Sequence, residues 1–314
     1  MKTILLSILF LFVPKFCISQ LSANDKMVYL DSTWNEATQD NYKYYRIIKD
    51  FYLDRDLYVI NDYYKTGVLE KQGTSKTKDD NSKEGIFTFY YKNTNKKSLT
   101  NYVKGRANGI NLEWYENGNK KSDGEYIEDE KKMTTMHKIN QFWDANGGQK
   151  VVNGNGLFED NDENEYSKGE VKNGFKEGLW EGSLKNQKIT YKETYKSGKL
   201  ISGESLDENK VTYNYTEIET KPEYKSGVKG FYKYVSKNYR TPNVQGLKGI
   251  VYVTFVVDKD GKIVEPKVLR DIGYGTGVEA IRVLNNCGEW TPGEQRGIKV
   301  RCTFSLPIAV YSTR

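Results

Sequence analysis

Gly249-Ile250-Val251-Tyr252-Val253-Thr254-Phe255-Val256-Val257 is an unbroken run of β-branched and aromatic residues, followed at once by Asp258-Lys259-Asp260-Gly261. Such side chains pack well on a pleated surface, and the Asp/Gly tetrapeptide supplies a tight reversal. The run therefore predicts a strand, with Lys262–Leu269 as its returning partner. Glu279–Asn286 follows with helix-forming residues, and Ala280, Val283, Leu284 and Cys287 fall on one helical face. Trp290-Thr291-Pro292-Gly293 stops that helix, and Ile298–Leu306 alternates as a third strand. A further helix, Val228–Lys237, is expected ahead of the first strand. One helix packed across a three-stranded sheet makes a small α+β domain over residues 225–314.

Upstream the pattern changes to a repeat. Aromatic segments ending in a turn recur as Tyr63-Tyr64-Lys65-Thr66-Gly67, Tyr90-Tyr91-Lys92-Asn93-Thr94, Trp114-Tyr115-Glu116-Asn117-Gly118 and Phe142-Trp143-Asp144-Ala145-Asn146-Gly147. Gly85 to Gly109 spans 24 residues, as does Thr94 to Gly118. Asn-Gly turns provide the positive φ angles of short hairpin loops, so each unit reads as an aromatic strand, a tight turn and a Lys-rich return. The expected product is an all-β sheet of stacked antiparallel hairpins over residues 20–205, with Lys26 to Ile60 as its atypical leading cap. The 25 tyrosines suit half-wet sheet surfaces, where the ring packs and the hydroxyl reaches water. The acidic stretch Glu159–Glu165 lacks the central Gly and spaced terminal Glu of a calcium loop and reads as a solvated hairpin tip. Residues 206–224, polar and ending near Pro222, form the boundary.

At the N-terminus, Lys2 precedes a short apolar run from Ile4 to Val13, with small residues at Cys17 and Ser19. Ten helical residues rise only about 15 Å, half a hydrocarbon core, so residues 1–19 read as a signal peptide cut before Gln20, the alternatives being an uncleaved membrane anchor or lipidation at Cys17. This places the chain in the periplasm or on the periplasmic face of the cell envelope. From Lys225 onward there are 15 Lys+Arg against 7 Asp+Glu, a net of +8, which suggests an acidic ligand or surface for that domain, the alternative being a solvated basic surface. Cys287 and Cys302 remain after the leader is removed. Cys287 lies on the apolar face of the helix, and Cys302 alternates with Val300 and Phe304; in an oxidising compartment they are a candidate disulfide, the alternative being two buried thiols that never meet.

Gly249–Asp258 with Gly261, then Glu279-Ala280-Ile281-Arg282-Val283, Trp290-Thr291-Pro292-Gly293, Arg296-Gly297, Val300 and Leu306-Pro307-Ile308 resemble, in order and spacing, the C-terminal domain of TonB energy transducers. The upstream units look like MORN repeats of the type found in exported bacterial proteins. The first resemblance implies recognition by strand addition, in which an outer-membrane receptor peptide lies beside the third strand. Lys299, Arg301, Thr303 and Ser305, on the face opposite the apolar alternates, are then the expected partner-selecting residues. The same edge is also open to a second copy of the chain, giving a homodimer, or is simply guarded by its Lys and Arg. Thr241-Pro242 stands where the family usually has Tyr-Pro, and neither a spanning anchor nor a Pro-rich rod is evident.

Chemistry is scarce. His137 is the single histidine and has no second ligand at metal spacing, and no Gly-x-Ser-x-Gly elbow occurs. Glu279 and Arg282 read as a surface pair. Composition and motifs thus point away from an enzyme, a metal site, a cofactor or a nucleic-acid ligand. They point towards an envelope adaptor or transport component that contacts an outer-membrane receptor or another envelope protein. The alternative is a structural scaffold that binds peptidoglycan or a surface, with no part in energised transport.

Overall fold

The computed structural model describes residues 21–129 and 134–312; the leader read at residues 1–19 lies outside them. Sixteen strands form one antiparallel sheet in which each strand is bonded to its sequence neighbours. The first eight are β1 (Lys26–Leu30), β2 (Tyr44–Ile48), β3 (Tyr58–Tyr64), β4 (Leu69–Ser75), β5 (Lys83–Tyr90), β6 (Lys96–Val103), β7 (Arg106–Trp114) and β8 (Lys120–Asp129). The next eight are β9 (Thr134–Trp143), β10 (Gln149–Val152), β11 (Asn155–Asn161), β12 (Glu165–Lys172), β13 (Phe175–Leu184), β14 (Ile189–Lys196), β15 (Lys199–Leu206) and β16 (Thr212–Tyr215). Of the acidic stretch, Glu159–Asn161 end β11 and Glu165 opens β12; in the turn between them Asp162 accepts the amides of Asn164 and Glu165.

Two recurring devices hold successive hairpins together. In the first, a tyrosine hydroxyl reaches the next hairpin's carbonyl: Tyr64 to Tyr90, Tyr91 to Trp114 and Tyr115 to Trp143, each at 2.9 Å. Turn asparagines do the same, Asn93 and Asn95 donating to the Glu116 carbonyl and Asn117 and Asn119 to that of Ala145. In the second, an aromatic ring lies over a glycine of the neighbouring strand. A Cβ added to Gly73 would sit 2.4 Å from the Phe87 ring, and one on Gly169, Gly182 or Gly203 would sit 2.3 Å from the rings of Trp180, Tyr191 or Tyr215. Each glycine opens room that lets a large ring lie flat and be buried, which is how a chain of low apolar content shields its strands.

The described chain divides into two compact units. One runs to Phe158 and includes Val171–Phe175; the other comprises Glu159–Glu170 and Lys176 to the C-terminus. Inside the first, a buried charge network accompanies a small apolar cluster of Ile48, Tyr58 and Ile60: Arg46 grips Asp62 through Nε and Nη2 at 2.7 and 2.8 Å, and Lys71 bonds Asp62 at 2.8 Å and Asp80 at 2.6 Å, all four side chains being buried. Asp62 is completely enclosed and has two cationic partners, the condition under which a buried carboxylate is tolerated.

The second unit carries the α+β domain. Residues 206–224 contribute β16 and two short strands, β17 (Glu219–Thr220) and β18 (Glu223–Tyr224). Then come α1 (Gly227–Asn238), β19 (Lys248–Val257), β20 (Ile263–Arg270), α2 (Thr276–Asn285), β21 (Trp290–Thr291), β22 (Gly293–Gln295), β23 (Ile298–Val300) and β24 (Cys302–Tyr311). The main sheet has the order β20-β19-β24. Val251, Val253, Phe255 and Val257 of β19 meet Leu306, Ile308 and Val310 of β24 in one core. Both helices cover it, α2 through Ala280, Val283 and Leu284 and α1 through Phe231 and Val235, where one covering helix was expected.

Two further departures have local causes. The helix expected from Glu279 begins at Thr276, because the Asp271 carboxylate accepts the Thr276 hydroxyl and the Gly277 amide and so caps an earlier turn. The expected strand Ile298–Leu306 is broken at Arg301: β23 pairs with β22, while β24 pairs with β19 and runs on to Tyr311. The expected Cys287–Cys302 bridge is not formed in this structure, where both thiols are free. Cys287 packs on the core beside Tyr224 and Trp290, whereas the Cys302 sulfur faces Gly293. Burial pushes both thiols up from the ordinary cysteine range.

Candidate docking edge

Along β24, register with β19 is unbroken from Lys248 opposite Tyr311 to Val257 opposite Cys302. Among the described residues, no strand pairs with its other side. Pro307 lies in mid-strand, and a residue without an N–H leaves this ladder intact only if its nitrogen faces away from β19. Alternation then gives the outward main-chain groups to Thr303, Ser305, Pro307, Ala309 and Tyr311, all with exposed side chains. Phe304, Leu306, Ile308 and Val310 turn inward, and the last three are buried. The edge thus offers amide donors and carbonyl acceptors at regular spacing, with one donor missing at its centre.

A groove of about 270 Å³ opens beside this edge. Tyr232, Ser236, Tyr239 and Thr241 form one wall, and Pro307, Ala309 and Tyr311 the other. The Tyr239 hydroxyl donates to the Thr276 carbonyl at 2.9 Å, and burial, with the Glu279 charge nearby, raises its pKa to about 12. It is a fixed, neutral wall. Tyr232 and Tyr311 are half exposed, and the Lys248 ammonium lies 5.9 Å from the Tyr311 ring centre. Lys229, Lys233 and Lys237 stand exposed on α1, and among the described residues none is within ion-pair distance of a carboxylate. Aromatic walls, free main-chain groups and uncompensated ammonium groups together suit an extended, acidic segment.

Of the residues expected to select a partner, Thr303 and Ser305 lie on this edge. Lys299 does not: it is in β23, opposite Glu294. Arg301 sits in the break between the strands and bonds Glu265 at 2.6 Å. All four are exposed, but the edge strand does not bring them together. Missed were Pro307, Ala309 and Tyr311 and the whole α1 wall. The signal for the first three was present, since the apolar alternation continues through Ile308 and Val310, and a proline inside such a run marks an edge strand.

Residues 243–309 match the family model for the Gram-negative bacterial TonB protein C-terminal. That stretch is a TonB C-terminal domain. Domains of this family are non-catalytic binding modules. No curated protein and no solved structure matches the chain. The match takes in β19 to the Ala309 position of β24, so it includes most of the docking strand. The α1 wall, with Tyr232 and Tyr239, lies before it, and so does the sixteen-stranded sheet. The groove therefore joins a strand inside the matched stretch to a wall that lies outside it. Among the described residues, no group of three or more His, Cys, Asp or Glu is arranged to hold a metal ion, and no helix is long and apolar enough to cross a membrane.

Proposed function

We propose that this protein is exported to the cell envelope and works there, without catalysis, as a periplasmic adaptor or transport component. Its TonB C-terminal domain captures an extended segment of an outer-membrane receptor or another envelope protein by strand addition on β24. The observation that carries this reading is the unpaired edge from Thr303 to Tyr311 lying beside the aromatic groove. Main-chain pairing supplies affinity with little sequence demand, and the groove and its lysines supply selectivity. Isotope-edited NMR with short acidic synthetic peptides tests it. Amide shifts should concentrate at Thr303, Ser305, Ala309 and Tyr311, and Ala309→Pro should abolish them. Shifts confined to residues away from β24 and α1 would overturn the reading, and a concentration-dependent change without peptide would mean that the edge pairs with another copy.

A second reading has support of its own. In the repeat sheet, half-buried Trp114 and Trp143 lie beside Lys96 and Lys120, at 5.9 and 5.4 Å from ring centre to ammonium. Rings flanked by cations suit the sugar faces and carboxylates of peptidoglycan, which would make the sheet a scaffold on the cell wall. Co-sedimentation with purified sacculi separates the two readings, because Trp114→Ala should weaken sacculus binding and leave peptide capture unchanged.

A further inference from the structure

The turn between β22 and β23 is made by Arg296 and Gly297, both left-handed at φ +50° and +75°. Its tip is not in solvent. Arg296 is buried and directs its Nε to Glu193 of β14 at 2.9 Å, while its guanidinium stacks 4.0 Å from the Tyr191 ring centre. The Arg296 carbonyl accepts the Ser205 hydroxyl of β15 at 2.7 Å, and its amide donates to the Ile218 carbonyl. Glu193, wholly enclosed, also accepts the hydroxyls of Tyr195 and Tyr215 at 2.8 Å each. A Cβ on Gly297 would lie 3.1 Å from Tyr213 Cβ and 3.3 Å from the Asn214 carbonyl, so the tip is seated against β16.

We propose that Glu193 and the Arg296 hairpin form a latch that locks the TonB C-terminal domain onto β14–β16 and holds its docking edge in a fixed orientation to those strands. Three properties argue for this rather than for incidental packing. The enclosed carboxylate takes three donors drawn from β14, β16 and the domain, and Arg296 is the cation among them, so the domain cannot leave without stranding a buried charge. Arg296 is held at side chain, amide and carbonyl alike, although a non-glycine residue in the left-handed region is strained. The strands and the domain also fall in the same compact unit. A buried ion pair adds little net stability over an apolar contact, but it rejects every arrangement in which its members fail to meet.

Hydrogen exchange on the full mature chain tests the latch. In the wild type, Thr212–Tyr215 and Gly293–Val300 should open with a common protection. Arg296→Met should raise exchange in both segments together by at least about tenfold while Val251–Val257 stays protected, and Arg296→Lys should restore part of the protection. If Arg296→Met also strips protection from β19, the near-isosteric Glu193→Gln decides, with coupled loosening of the same two segments expected. Independent exchange of those segments in the wild type, or unchanged protection of β16 in Glu193→Gln, would overturn the proposal. Peptide capture at β24 is a separate readout and should persist in both variants.

Discussion

Glu70 in β4 has one carboxylate oxygen without a hydrogen-bond partner, and burial, opposed by Lys71 and reinforced by Asp62, lifts its pKa from 4.5 to about 7. A carboxyl whose folded pKa is raised binds its proton more tightly in the folded state. Its contribution to stability therefore falls as pH rises from about 4.5 to about 7. Glu70→Gln should raise the melting temperature at about pH 8 and change it little near pH 4; an increment independent of pH would count against this assignment. Thr94 is a second point of strain. It holds φ +73° at the turn position occupied elsewhere by Gly67, Gly118 and Gly147, and a β-branched residue is poorly suited there. Thr94→Gly should stabilise the chain by about 1 kcal/mol, measurable by urea titration. Gly169→Ala should do the opposite, by about 1–3 kcal/mol, since its methyl group would meet the Trp180 ring. Thr94 was legible beforehand because Asn93-Thr94 aligns with Asn117-Gly118. Glu70 was not, because nothing in Leu69-Glu70-Lys71 says how deeply the side chain is covered.

Among the elements, β24 shows best where sequence reasoning held and where it stopped. The alternation of Cys302, Phe304 and Leu306 against Thr303 and Ser305 described the two faces of the strand correctly. It did not reveal the break at Arg301, which arises because β23 has a partner in β22 and β24 has one in β19. Pairing partners distant in sequence decide where a strand ends. Pro307 leaves a gap at the centre of the edge, since an incoming strand finds no donor opposite it. Pro307→Ala would supply that N–H and should tighten an acidic peptide by about threefold, one neutral hydrogen bond, in calorimetric titration. Tyr232→Ala should weaken the same peptide without altering the melting temperature, because the ring is half exposed on the groove wall.

At the scale of the whole molecule, charge and connectivity matter more than any one contact. The net of +8 from Lys225 onward lies in the domain that carries the groove. Capture of an acidic segment should therefore weaken as ionic strength rises from about 0.05 to 0.5 M, when the screening length shrinks to a few ångströms. Affinity that is flat across that range would remove charge from the account. The sheet itself is a succession of local pairings, each strand bonded to the next in sequence. Its hairpin-to-hairpin bonds, such as Tyr91 to Trp114, tie units about two dozen residues apart. Such a repeat is readable from its turns, whereas the compact units it forms are not.

The sequence by itself determined the elements and their faces: the β19 run, the Asn-Gly-type turns of the repeats and the apolar face of α2 follow from side-chain shape and local backbone preference. It also determined the resemblance of the C-terminal stretch, because order and spacing of motifs survive without coordinates. Only the tertiary structure decided that α1 stands beside the open edge of β24 and that Glu193 meets Arg296 across 103 residues. It alone placed Cys287 and Cys302 in different surroundings. Local conformation is governed by neighbours a few residues away, which the chain records directly. Which distant carboxylate neutralises which buried guanidinium depends on how whole elements pack, and the cost of an unpaired buried charge is set only when that packing is complete.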